Sequence, residues 1–206
     1  MFLFALVLGV LVLPEADTLK CNECSDDLSG TCTEKTTECP SQNYQCAVGR
    51  TLIFQGGRKI SDVKAKGCTL PEQCLEYSVN FGVSKTVQKT TCCSTDLCNN
   101  QLPDYKSIPN GKKCFSCDGQ SCTSTLNCEG DENYCIKATM NAEGQTLTLK
   151  GCASKLVCTD QATSLMKHLS GAQFSCCQGN YCNSASTASP ILLHLLVPLV
   201  FSVFFL

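Results

Sequence analysis

Hydrophobicity along this chain is concentrated at its two ends and broken into short alternating runs between them. The opening MFLFALVLGVLVLP is a continuous apolar run. It suits the apolar region of a signal peptide and is short for a membrane span. A leader over 1–18 is therefore predicted, cleaved after Thr18 with Ala16 at the −3 position. The closing ILLHLLVPLVFSVFFL, 191–206, follows the small-residue stretch Asn183-Ser184-Ala185-Ser186-Thr187-Ala188-Ser189 and carries no Lys or Arg. That order of small, polar and then apolar residues predicts a glycosylphosphatidylinositol (GPI) attachment signal, rather than a spanning helix with its basic flank. The attachment residue is expected at Asn183 or Ser184, with 184–206 as the propeptide.

Between the ends the pattern has the period of strands. Tyr44 to Phe54 runs into Gln55-Gly56-Gly57-Arg58 and returns over Ile60 to Cys68, which predicts a hairpin with Gly56-Gly57 at its tip. A second hairpin is predicted from Tyr134–Met140 and Gln145–Lys150 about the turn Asn141-Ala142-Glu143-Gly144. Tyr77, Val79, Phe81 and Val83 alternate as one strand face does. Further strands are expected at Lys85–Cys92 and Ala172–Cys176, and a short helix at Gln161–His168. Two prolines and an Asn-Gly mark 101–111 as a linker between segments 19–100 and 112–183.

The cysteines change this picture most. There are 20. Their steps run 3, 8, 7, 7, 22, 6, 18, 1, 5 from Cys21 to Cys98, and 3, 5, 6, 7, 17, 6, 18, 1, 5 from Cys114 to Cys182. This is an internal repeat defined by cysteine spacing, with an even ten in each copy. Domains of about 80 residues bury modest cores, and each bridge contributes roughly 2–4 kcal/mol by restricting the unfolded chain. Zinc at Cys21-x-x-Cys24 and Cys114-x-x-Cys117 is disfavoured by the oxidising secretory route and the scarcity of histidine. The spacing alone leaves on the order of a thousand pairings per copy.

Leu19-Lys20-Cys21-x-x-Cys24, Lys66-Gly67-Cys68 and Cys92-Cys93-Ser94-Thr95-Asp96-Leu97-Cys98-Asn99 resemble the Ly6/urokinase-receptor domain. The second copy resembles it through Lys112-Lys113-Cys114-x-x-Cys117, Lys150-Gly151-Cys152 and Cys176-Cys177-Gln178-Gly179-Asn180-Tyr181-Cys182-Asn183. The resemblance implies an all-β, disulfide-rich fold of two tandem three-finger domains. It implies the pairing Cys21–Cys46, Cys24–Cys32, Cys39–Cys68, Cys74–Cys92 and Cys93–Cys98. In the second copy it implies Cys114–Cys135, Cys117–Cys122, Cys128–Cys152, Cys158–Cys176 and Cys177–Cys182. Asn99 and Asn183 then tie each C-terminal end to the disulfide core. The urokinase receptor has three such domains, and its ligand is not carried over.

Charge and residue supply narrow the function. Without Glu15 and Asp17 of the leader, 18 acidic residues become 16, against 16 basic ones. Nothing in that balance favours nucleic acid. Histidine occurs only at 168 and 194, and the carboxylate pairs Asp26-Asp27 and Asp131-Glu132 read as solvated turn residues. An enzyme is not expected, nor a cofactor or metal. Contact with an extracellular or membrane protein is expected at Leu52, Ile53, Phe54, Arg58 and Phe81, with Arg50 on a polar rim. Met140, Leu165 and Met166 are the lesser set in the second copy. Three classes follow: a receptor or adhesion protein on the outer leaflet, a secreted inhibitor resembling those of phospholipase A2, or a structural surface coat.

Overall fold

The computed structural model describes residues 18–25, 32–117, 121–142 and 145–184. Nearly all of the expected leader, the apolar tail and the Asp26-Asp27 pair lie outside the described residues. Among these residues the strands are β1 (Lys20–Ser25), β2 (Lys35–Glu38), β3 (Gln45–Gln55), β4 (Arg58–Thr69), β5 (Tyr77–Asn80) and β6 (Ser84–Cys93), followed by β7 (Pro109–Ser116), β8 (Ser124–Glu129), β9 (Tyr134–Ala142), β10 (Gln145–Ala153) and β11 (Gln173–Cys177). Among the described residues one α-helix, α1 (Asp160–Ser170), precedes β11. Thr159 caps its start by accepting from the Ala162 amide, and Gly171 closes it in the left-handed conformation at φ 68°.

The β3–β4 hairpin turns at Gly56 and Gly57, whose φ values of 55° and 75° require residues tolerant of the left-handed region. β1 pairs antiparallel with both β2 and β4. β9 lies between β10 and β11, all antiparallel, and β10 also pairs with β5. β7 and β8 form a separate two-stranded sheet.

Two compact units result. Of the described residues, one comprises those up to Leu52, Ser61–Glu76 and Gln88–Tyr105; the other comprises Ile53–Ile60, Tyr77–Val87 and those from Lys106 to Ser184. Each unit is built about a pair of touching disulfides. In the first, Cys21–Cys46 and Cys39–Cys68 are joined, with Cys21 Sγ 3.2 Å from Cys39 Sγ. In the second, Cys114–Cys135 and Cys128–Cys152 repeat the arrangement at 3.4 Å. Cys24–Cys32, Cys74–Cys92 and Cys93–Cys98 complete the first copy. Cys117–Cys122, Cys158–Cys176 and Cys177–Cys182 complete the second.

The last loop of each copy docks onto its first strand in the same way. Leu97 N donates to Lys20 O at 2.7 Å, and Tyr181 N to Lys113 O at 2.8 Å. Beside these bonds, Asp96 Oδ1 accepts from Lys20 N and Asn180 Oδ1 from Lys113 N. Among the described residues, Leu97 and Tyr181 are the non-glycine residues at positive φ, 54° and 59°. The bridge on either side and the docked amide hold that costly conformation.

Asn99 and Asn183 then fill the space behind each loop. Asn99, 1% exposed, accepts from Asn22 N and donates to Asn22 O and Ala47 O. Asn183, 5% exposed, accepts from Phe115 N and donates to Phe115 O, Ile136 O and Gly151 O. A carboxamide alone offers a donor pair and an acceptor at this size. Removing it leaves several buried backbone groups unpaired, at about 1–3 kcal/mol each. Asn99→Ala and Asn183→Ala should each lower unfolding free energy by roughly 2–4 kcal/mol, measured by denaturant titration with the disulfides intact. Asn→Asp at the same sites should fare no better, because a carboxylate accepts but cannot donate.

Candidate functional site

The tip of the β3–β4 hairpin and the turn between β5 and β6 share the second unit. Gly56 N donates to Val83 O at 2.9 Å, which binds the two turns together. Gln55 to Ile60 are exposed, and the apolar side chains most open to water here are Ile60 at 60% and Val83 at 45%. Arg58 and Lys59 stand beside Ile60, so the tip presents cationic and apolar groups side by side.

The five expected contact residues separate. Arg58 is exposed, while Ile53 and Phe54 are half-buried. Leu52 is a correction: at 1% exposed it is core, because strand alternation identifies a face without saying which way it points. Phe81 packs on the cluster of Ile136, Ala153 and Val157, with Tyr77 and Val79 beside it. It also lines an apolar cavity of about 180 Å³ with Met140, Leu147, Leu149 and Phe174. Leu165 and Met166 have side chains outside the described set. Arg50 is not a rim residue either. Its guanidinium makes two 2.8 Å bonds to the Asp62 carboxylate and reaches Pro103 O, so it fastens the chain after Asn99 to β3 and β4. Donating to the Asp62 carboxylate raises its pKa, outweighing partial burial. Lys150 moves the other way, lowered first by burial and then by Lys137.

A second correction concerns Glu132. It is fully buried, not a solvated turn residue. Oε1 accepts from Ser78 Oγ at 2.6 Å and lies 3.4 Å from Lys85 Nζ, while Oε2 accepts from Glu129 N at 3.0 Å. Lys85 Nζ also contacts the Glu129 carboxylate. Ser78 and Ser154 exchange bonds: Ser78 N donates to Ser154 Oγ, and Ser154 N to Ser78 O. The cluster therefore locks Tyr77–Val87 to the rest of the second unit. Gly151 makes the close approach possible, since a Cβ there would lie 1.9 Å from Asn80 O. Nothing local in the sequence marks Glu132 as buried, since its side-chain partners lie 47 and 54 residues away at Lys85 and Ser78.

Comparison with known proteins fits this architecture. The profile described as u-PAR/Ly-6 domain matches residues 17–101, and the one described as snake toxin and toxin-like protein matches 113–183. Ly6/PLAUR domain-containing protein 8 of Bos taurus is 31% identical over 172 residues, covering 77% of this chain and 74% of its own. The chain belongs to the Ly6/u-PAR family. Its mostly β, disulfide-rich fold of two three-finger domains follows from that membership, with α1 as the departure from the all-β expectation, and domains of the Ly6/u-PAR family are non-catalytic. The urokinase plasminogen activator surface receptor of Rattus norvegicus is 28% identical over 193 residues, covering 86% of this chain and 58% of its own. The chain thus spans a little over half the length of the urokinase receptors it matches. Phospholipase A2 inhibitor NAI of Notechis ater is 29% identical over 155 residues, covering 68% of this chain and 76% of its own.

Lys85→Met leaves Glu132 buried without its cation, and should cost about 3–5 kcal/mol. Ser78→Ala removes one bond to a charged group and should cost roughly 1.5–3 kcal/mol. Hydrogen exchange should place the loss in 77–87 and 129–134, and uniform loosening of the whole chain would contradict this assignment.

Proposed function

We propose that the mature protein, from Leu19, is a non-enzymatic cell-surface receptor or adhesion protein that binds a protein ligand through the exposed hairpin tips. Family membership supports a protein-interaction role at the cell surface. The observation that carries the tip assignment is the adjacency of exposed Arg58, Lys59, Ile60 and Val83 on turns bonded to each other. Two turns joined by a backbone bond lose little freedom on binding, so apolar contact there is spent less on ordering. The ligand is expected to bring an acidic rim around an apolar centre.

The anchor in this reading is a GPI group on the outer leaflet, joined near the base of the second domain, over 112–183. Ser184 is favoured over Asn183. Ser184 is exposed, whereas the side chain of Asn183 is buried and occupied by four hydrogen bonds. A secreted two-domain inhibitor is the second reading, supported by the likeness to the phospholipase A2 inhibitor.

An epitope tag placed after Leu19 should appear on the cell surface and be freed by phosphatidylinositol-specific phospholipase C. Tag in the medium without enzyme favours the secreted form, and surface tag resistant to the enzyme excludes the GPI anchor. For the tip, Arg58→Glu with Ile60→Ser should weaken capture of ligand-bearing cells about tenfold or more, equivalent to about 1.4 kcal/mol. Both sites are exposed, so stability should move by less than about 1 kcal/mol. Unchanged capture by a folded double variant would place the contact elsewhere.

A further inference from the structure

We propose that Asn110 is a site of spontaneous deamidation built into the second unit, and that its conversion releases the loop carrying Glu132. The chain holds a single Asn-Gly pair, Asn110-Gly111. It sits on β7 where the register with β8 shifts between Pro109 and Lys113. Both residues are exposed. Gly111 has φ 87°, and nothing lies within 4 Å of where its Cβ would stand. Approach of the Gly111 amide nitrogen to the Asn110 side chain is therefore unobstructed by a side chain.

The carboxamide is also fixed by hydrogen bonds at both of its polar atoms. Its Oδ1 accepts from Lys112 N at 2.9 Å, which folds the side chain over the Gly111 peptide. That N–H points at the oxygen on which negative charge develops during attack on Cγ, and so stabilises it. Its Nδ2 donates to Gly130 O at 3.0 Å and to Glu132 O at 3.3 Å.

The chemistry needs only water. Gly111 N loses its proton to solvent base and bonds to Asn110 Cγ. The Cγ–Nδ2 bond breaks, and ammonia leaves with a proton taken from water. The resulting succinimide is opened by water at one of two carbonyls. Opening at Cγ yields aspartate; opening at the backbone carbonyl yields isoaspartate, with the chain rerouted through Cγ. No group is oxidised or reduced.

Either product removes both Nδ2 donor bonds and turns a carboxylate toward two carbonyl oxygens. The loop 130–132 loses its two side-chain bonds to β7 and keeps only the backbone bond from Gly130 N to Ile108 O beside it. Glu132 is the residue that holds Ser78 and faces Lys85, so loosening this loop weakens the hold on Tyr77–Val87. Asn99 and Asn183 are buried and followed by Asn and Ser, and are not expected to react.

The test uses the full oxidised protein, aged at body temperature in mildly alkaline buffer beside a reduced and unfolded sample. Peptide mapping should find the mass change of an amino-to-hydroxyl exchange at Asn110 in the folded protein, in aspartate and isoaspartate forms, with the other asparagines unchanged. Amides over 129–134 should exchange about tenfold faster in the modified fraction, and Asn110→Asp should reproduce that increase without ageing. Modification confined to the unfolded sample would show that the fold shields Asn110 and would overturn the proposal. Modification with unchanged exchange over 129–134 would overturn the release of the loop.

Discussion

Everything in this protein hangs from two pairs of touching disulfides. Cys21–Cys46 against Cys39–Cys68, and Cys114–Cys135 against Cys128–Cys152, form cores in which sulfur takes the place of the large aliphatic side chains. All four of the second set, and Cys21 and Cys46 of the first, are fully buried. A chain of this kind has too little apolar surface per domain to offset the entropy of ordering long hairpins. Cross-links act on the unfolded side of the balance, so the folded hairpins can remain solvated and still be fixed at the base.

That economy has a structural consequence at each C-terminal loop. The bridges Cys93–Cys98 and Cys177–Cys182 close short loops that force Leu97 and Tyr181 into the left-handed region. The loops are repaid locally by the amide bonds to Lys20 and Lys113, and by Asn99 and Asn183 behind them. The distal turns instead expose the side chains of Arg58, Ile60 and Val83 to water.

What could be read from residues alone follows the range of the interactions. The Gly56-Gly57 turn is local, and so are the Thr159 and Gly171 boundaries of α1, although the helix extends to Asp160–Ser170, beyond the shorter 161–168 expected. The repeat was visible because cysteine spacing survives when loop lengths differ. Burial was not visible. Alternation of Tyr77, Val79, Phe81 and Val83 suggested one apolar and one polar face, yet Ser78 and Asn80 are the more buried set. Their polar atoms meet Ser154, brought near by strand pairing between β5 and β10, Glu132 from the loop before β9, and the backbone of Gly82. Glu132 and Arg50 were misplaced for the same reason: a charge looks solvated until its partner arrives from elsewhere in the chain.

The most direct test of this account is the disulfide map of the oxidised protein, obtained by digestion without reduction and mass spectrometry of the linked peptides. The account predicts Cys21–Cys46 with Cys39–Cys68, Cys114–Cys135 with Cys128–Cys152, and no bridge from one copy to the other. A bridge between copies, or Cys21 joined to Cys39 in place of Cys46, would contradict the core from which the rest is derived.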